Sequence, residues 1–235
     1  FVGDALELVL GIRHQYDSDF GSHVAGNAGA RWHLWRGDHW RTTARLGWGQ
    51  GYRVPNLKER FYLFDHSQLG YVVIGNPDLQ PERSQSWQLG TTFSWREQWV
   101  LELGLFHNAL RNLIQIDAES DPVPGGPVQE YQYENVARAM TRGAEVGLDW
   151  AIAPRLSLHL NHTHMQTEDR DSGQRLTRRP RDISRLGINL GVTESTELTL
   201  RGRYQSDELA TSAGARSPAW RALDISLTHQ ATPAL

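Results

Sequence analysis

Three histidines, His159, His162 and His164, lie close together in one segment and raise metal binding first. Two histidines spaced i, i+2 on one side of a strand can share an ion; His162 and His164 would share a side, and His159 would not. No carboxylate completes a ligand set, so no metal site is expected and the three read as exposed strand-end histidines. The run Arg60-Phe61-Tyr62-Leu63-Phe64-Asp65-His66-Ser67-Gln68-Leu69-Gly70-Tyr71 is dense in aromatic rings. Arg60, Tyr62, Phe64, His66 and Tyr71, with Arg53 just upstream, suit a flat, anionic ligand through cation–π and charge-assisted contacts. Alternatively the same rings form the small core of a long loop that packs on itself. Arg178 and Arg179, flanked by Arg175 and Arg181, make a basic cluster that suits an anionic ligand or lipopolysaccharide phosphates, or reads as a solvated loop. Asp169, Asp171, Ser184 and Ser226 form no nucleophile–base pair, so no catalytic residue, enzyme activity or cofactor is expected.

These residues are carried by segments with a period of two. In Glu197–Tyr204 one side reads Leu198, Leu200, Gly202, Tyr204 and the other Glu197, Thr199, Arg201, Arg203. Leu6, Leu8, Leu10 and Ile12 alternate with Glu7, Val9, Gly11 and Arg13 in the same way, as do Trp87, Leu89, Phe93 and Trp95 with their neighbours. No long segment has the i, i+3, i+4, i+7 spacing of a helix. The expected fold is all-β and antiparallel, with about ten strands of roughly 10–12 residues, the length a tilted strand needs to cross a bilayer.

Short connections (Arg36–His39, Arg96–Gln98, Ile152–Pro154, Thr193–Ser195) take turns with long ones (Gly51–Arg83, Asp117–Gln129, Thr167–Pro180, Gln205–Ala219). That inequality is the layout of a transmembrane β-barrel with short periplasmic turns and long extracellular loops. Trp32, Trp35, Trp40, Trp95, Trp99 and Trp150 sit near the short turns, where an interfacial girdle belongs; otherwise they are core tryptophans of a soluble β-protein. Arg13, Arg45, Glu102, Glu145, Asp149, Arg185, Arg201, Arg203 and Asp224 fall on the other face. So many charges require a wet or plugged interior.

The 235 residues carry no cysteine and a formal charge of −3. This excludes a disulfide scaffold and thiolate metal sites, and offers no basic excess for nucleic acid. The first residues, Phe1-Val2-Gly3-Asp4, have no signal-peptide character, and Ala231–Leu235 reads as a turn; both ends are expected to be cuts through a longer protein.

Two runs resemble the TonB-dependent outer-membrane receptors. Gly49-Gln50-Gly51-Tyr52-Arg53-Val54-Pro55-Asn56-Leu57-Lys58-Glu59-Arg60-Phe61 is similar to that family's strand-to-loop segment, and Gly75-Asn76-Pro77-Asp78-Leu79-Gln80-Pro81-Glu82-Arg83-Ser84 to its G-N-P-x-L-x-P-E-x-S motif. Tyr133–Val136, Arg142–Glu145 and Arg178–Arg181 follow in the same order as in the family. From the residues themselves, Pro55 and Pro77 fix φ and end pairing, Gly75-Asn76 supplies a turn, and Leu57–Phe64 offers a single helical turn. Gly47, Gly49 and Gly51 clear one face of their strand. The resemblance implies a barrel of 22 strands in the bacterial outer membrane, closed by the protein's own plug domain. It implies outer-membrane lipid and lipopolysaccharide as surroundings and, through the plug, TonB as a partner. The cargo would be a scarce nutrient, a ferric siderophore first, then haem or cobalamin. The plug and the final strands are expected to be missing from this chain. A passive porin-like or adhesive barrel is the alternative, and enzymatic barrels of smaller size are another class.

Overall fold

The computed structural model describes residues 5–96, 98–118 and 128–231. Ten long strands follow one another across a single antiparallel sheet. They are β1 (Leu6–Asp17), β2 (Gly21–Arg36), β3 (Trp40–Arg53), β6 (Glu82–Trp95), β7 (Trp99–Ala118), β8 (Gln129–Ala153), β9 (Leu156–Asp169), β10 (Asp182–Gly191), β11 (Thr196–Gln205) and β14 (Trp220–His229). Small elements occupy the long connections: α1 (Leu57–Phe61), β4 (Leu63–His66) and β5 (Tyr71–Ile74) between β3 and β6, and β12 (Glu208–Leu209) with β13 (Arg216–Ser217) between β11 and β14. The sheet is open, with β1 and β14 at its two edges.

Directly opposed residues in an antiparallel pair point to the same side, so the register carries one face across the whole sheet. Arg45 lies opposite Gly90, Gly90 opposite Gly104, and Gly104 opposite Glu145. Followed in this way, all nine charged residues named above share one face. Within it Arg203 meets Asp224 at 3.0 Å and Asp149 meets His159 at 2.6 Å. The opposite face carries Leu8, Leu10, Ile12, Leu89, Leu105, Leu223, Ile225 and Leu227, all exposed, with Leu10 and Ile12 at 84% and 82%. An apolar face this extensive has no partner among the described residues and is built to meet lipid.

The tryptophans mark the height of that band. Trp40, Trp95, Trp99 and Trp150 are register neighbours in one row across four strands. Trp40 packs on Trp95 and Trp99 with centroids 6.1 and 5.3 Å apart. A second row, Trp48 opposite Trp87 at 6.3 Å, lies eight residues further along β3 and β6. Eight residues of a tilted strand advance roughly 20 Å along the membrane normal, close to the apolar height of a barrel wall.

Six of the ten long strands run longer than the 10–12 residues expected, reaching 20 in β7 and 25 in β8, while β1, β10, β11 and β14 keep to that length. The surplus projects beyond the second tryptophan row, where pairing is no longer limited by bilayer thickness. The inequality of the connections also has an exception: β1 and β2 are joined on the long-loop side by a turn of only Ser18–Phe20. The loop expected at 117–129 falls mostly outside the described residues, as do Phe1–Asp4, Glu97 and the last four residues.

Candidate functional site

The connection between β3 and β6 crosses the outer ends of β6 and β7 and adds β5 as a parallel strand to the projecting end of β8, Tyr71 opposite Gln129 through Ile74 opposite Gln132. Three anchors hold it. At its base, Arg53 donates two hydrogen bonds to Glu82 (2.6 and 2.9 Å) and two more to Glu59 (both 2.9 Å). Glu59 also accepts from the Asn56 N–H, while Asn56 accepts from the Glu59 N–H, a capping box that starts α1. Burial pushes the Glu82 carboxyl up, but hydrogen bonds from Arg53 and the Ile114 N–H, with the charges of Arg53 and Arg179, leave it below its ordinary value. Arg53 and Glu82 lie five residues beyond the Trp48–Trp87 row, outside the apolar band.

The second anchor joins two sequence motifs. Asn76 donates to the Tyr133 carbonyl at 3.0 Å, and Asn135 accepts from the Gln80 N–H at 2.7 Å while donating to the Gln80 and Asn112 carbonyls. Leu79, 1% exposed, is buried beneath this junction between Pro77 and Pro81. Gly75 is required because a Cβ would stand 2.8 Å from the Arg60 backbone carbon. Gly51 leaves room for the Ser84 hydroxyl opposite it, and Tyr52 stacks on His23 with centroids 3.9 Å apart. Replacing Asn135 by alanine is expected to loosen the loop by about 1 kcal/mol, the worth of its partly exposed hydrogen bonds net of water. Faster protease cleavage between residues 56 and 81 in the intact receptor, with unchanged barrel melting, is the check.

The third anchor is Arg60, which reaches Asp19 in the β1–β2 turn at 2.5 Å and lies over the rings of Phe20 and Phe61. The Arg60 hydrogen bond and charge hold the Asp19 carboxyl below its usual range. The Arg53 and Arg60 guanidiniums therefore already have carboxylate partners within the protein.

The rings lie on the hairpin that these anchors hold. Tyr62 stacks on Phe64 (5.8 Å), Phe64 meets His66 at a tilt of 44° with centroids 3.9 Å apart, and His66 Nδ1 hydrogen-bonds to the Tyr71 hydroxyl at 2.9 Å. Tyr71 meets Tyr131 of β8 edge-on at 6.5 Å, and the Arg178 guanidinium stands over the Tyr131 ring at 5.9 Å. The structure thus joins the aromatic loop and the basic loop, which the sequence left as separate clusters, through a residue that neither contains. Tyr131 had one legible signal: it alternates with Tyr133 at the start of β8. Arg178 is held with φ 55° and donates its N–H to the Leu209 carbonyl at 2.7 Å. Arg179 instead donates to the Arg178 carbonyl at 3.0 Å. Arg175 donates to the Arg179 carbonyl at 3.3 Å.

His162 and His164 do share a face, and Asp182 supplies the carboxylate that the sequence did not reveal: it lies 2.8 Å from His164 Nδ1 and 3.7 Å from His162 Nε2. His162 Nδ1 is bonded to Ser184 at 2.8 Å, and among the described residues no grouping of three ligands is arranged around an ion.

A family profile described as "TonB dependent receptor-like, beta-barrel" matches residues 1–234. The chain belongs to this family. It is 25% identical over 245 residues to the iron-regulated outer membrane virulence protein of Vibrio cholerae serotype O1, covering 98% of the chain and 37% of that protein. It is 29% identical over 183 residues to the ferric enterobactin receptor of Pseudomonas aeruginosa, covering 65% of the chain and 24% of the relative. A crystal structure of a ferric enterobactin receptor variant from Pseudomonas aeruginosa in complex with enterobactin superposes with a TM-score of 0.75 at 21% identity, over 99% of this chain and 36% of the other. The chain thus spans little more than a third of the length of relatives it matches end to end.

The family places this TonB-dependent receptor-like barrel in the bacterial outer membrane. Its apolar face is the lipid-facing wall, and its charged face lines the interior. The long loops stand on the side away from the Trp40–Trp150 girdle, and the ring platform lies among them at the barrel mouth.

Proposed function

We propose that the protein containing this chain is a receptor for TonB-dependent uptake of an iron chelate, and that the chelate is a ferric catecholate siderophore. The observation that carries the reading is the continuous surface from Tyr62 through Phe64, His66, Tyr71 and Tyr131 to Arg178. A catecholate complex offers flat rings for stacking and net negative charge for the arginine. The names of relatives that bind ferric enterobactin support the same class. In this reading a plug domain of the same protein fills the barrel and hands the work of release to TonB. The glycine-cleared strip of Gly47, Gly49 and Gly51, facing inward beside a groove of about 630 Å³, is the wall against which the plug packs.

The test is a titration of the intact receptor with ferric enterobactin-type catecholates, haem and cobalamin, followed by uptake in cells with and without TonB. Submicromolar binding of the catecholate alone, and uptake lost without TonB, are expected. Preference for haem or cobalamin overturns the ligand class. Uptake that persists without TonB overturns active transport in favour of a passive barrel.

A further inference from the structure

The inner face of the wall is not electrically uniform. On β7 and β8 it carries Glu102 and Glu145, set opposite Gly147 and Gly104. On β10 and β11 it carries Arg185, Arg201 and Arg203, with Arg185 directly opposite Arg203 and Arg201 opposite Gly187. Like charges opposed across strands are unfavourable unless something neutralises them. Asp224 of β14 lies opposite Arg201, yet its carboxylate meets Arg203 at 3.0 Å, and Asp149 is held by His159 at 2.6 Å. Arg185 and Arg201, both exposed, have no carboxylate within 4.0 Å among the described residues. Strands β10 and β11 are interior to the sheet, flanked by β9 and β14, so these two arginines owe nothing to an open edge.

The charges form a graded lane. Register carries the arginine rows down to a row of Ser157, Asn189, Thr199 and Ser226, where Asn189 donates to Ser157 at 3.3 Å and accepts from Thr199 at 3.2 Å. Below this row come Gly191, Glu197 and Thr228, and in the short turns Glu194 meets Arg155 at 3.4 Å. Cations thus stand toward the mouth, neutral amides and hydroxyls in the middle, and carboxylates at the periplasmic end. From Arg185 to Gly191 the strand advances about 20 Å. A groove of about 550 Å³ runs beside Arg185, Arg201, Arg203 and Asn189, and a second of about 420 Å³ continues it from Asn189 and Ser157 to Glu194 and Glu197. The upper end opens below the loop whose Arg178 closes the ring platform. Arg181 of that loop donates its N–H to Ser206 Oγ at 2.9 Å and leads directly into β10.

A lane of this kind fits an anion that moves. Attraction is strongest near the mouth and reverses toward the turns, so an anion is drawn in and is not retained at the exit. The glycine-cleared strip on β3, by contrast, offers close packing to a resident domain.

We propose that the β9–β11 wall is the track along which the anionic iron chelate leaves the ring platform and crosses the barrel, with Arg185 and Arg201 as its first holding point, a step that rests on the cargo being a ferric catecholate. The lane asks nothing of the platform's rings, so binding and passage are separable.

Cells carrying the intact receptor are given radioiron-labelled ferric catecholate, with surface binding measured in the absence of TonB and uptake in its presence. Arg185→Gln with Arg201→Gln is expected to leave surface binding within about twofold of wild type and to lower the uptake rate at least about tenfold. Arg185→Lys with Arg201→Lys keeps most of the rate because the charge is kept, and Arg221→Gln, on the outward face of β14, keeps all of it. Heat-dependent gel mobility shows that each variant is folded. Entry of a large antibiotic that a seated plug excludes is measured in parallel. Normal uptake by the glutamine variant overturns the lane alone. So does weakened surface binding, which assigns the arginines to the outer site, and so does antibiotic entry, which assigns them to an acidic surface of the plug. A wild type that imports no ferric catecholate overturns the catecholate cargo and the lane with it.

Discussion

Replacing Tyr71 and Tyr131 together by alanine is expected to weaken ferric catecholate binding by the intact receptor about a hundredfold. Each ring offers a stacking face worth roughly 1–1.5 kcal/mol beyond its area, and two such losses amount to about two decades in Kd. The two must be removed together because they meet edge-on at the point where the loop hairpin joins β8, so either one alone leaves a partial surface. Arg178→Ala removes the cation standing over Tyr131 and is expected to cost about tenfold, with a steeper loss at low salt. Tyr204→Ala, on the outward face of β11, leaves binding unchanged. Equal affinity in the double variant and the parent, measured by quenching or calorimetry, removes the ring platform from the site.

Arg53→Ala is expected to release the same loop from its base. The substitution leaves two carboxylates, Glu59 and Glu82, facing each other without the guanidinium that bridges them. An unpaired, partly buried charge costs several kcal/mol in a dry site; here the Arg53 side chain is 43% exposed, so about 2 kcal/mol is expected. Loop cleavage by protease in whole cells should rise by at least an order of magnitude, with the barrel itself intact. The pH dependence has a definite sign. Because the folded protein holds the Glu82 carboxyl below its unfolded value, its contribution is fully present above the ordinary glutamate pKa of about 4.3 and is lost as pH falls below it. The wild-type loop should therefore become protease-sensitive in acid, and Glu82→Gln should remove most of that dependence. A loop equally resistant at neutral and acid pH, in wild type and variant alike, would count against the anchor.

Arg60 changes its meaning in the structure. By type and position it suits an anionic ligand, but its guanidinium faces Asp19 and two phenylalanine rings. A loss of binding in Arg60→Ala would report a displaced hairpin, and protease sensitivity rising in parallel would separate that from a lost contact.

The wall was legible because a strand's side-chain period is fixed at two by backbone geometry and one face of it meets hydrocarbon. Leu198, Leu200 and the tryptophans therefore announce their face without any partner being known. Unequal connections and the two loop motifs were equally plain, since turn length and proline position are local properties. What connects one long loop to another is not local. Tyr131 lies 60 residues beyond Tyr71 in the chain, and only the parallel pairing of β5 with β8 brings the two together. Register decided the rest: it gathered Arg185, Arg201 and Arg203 on neighbouring strands of the inner face, set Asp182 beside two histidines, and gave Arg53 and Arg60 carboxylate partners from segments far away in the chain. The sequence determined which residues face lipid and which face the interior. Only the folded sheet decided which charges are neutralised within the protein and which are left for a ligand, because neutralisation depends on a few ångströms between atoms that the order of residues does not specify.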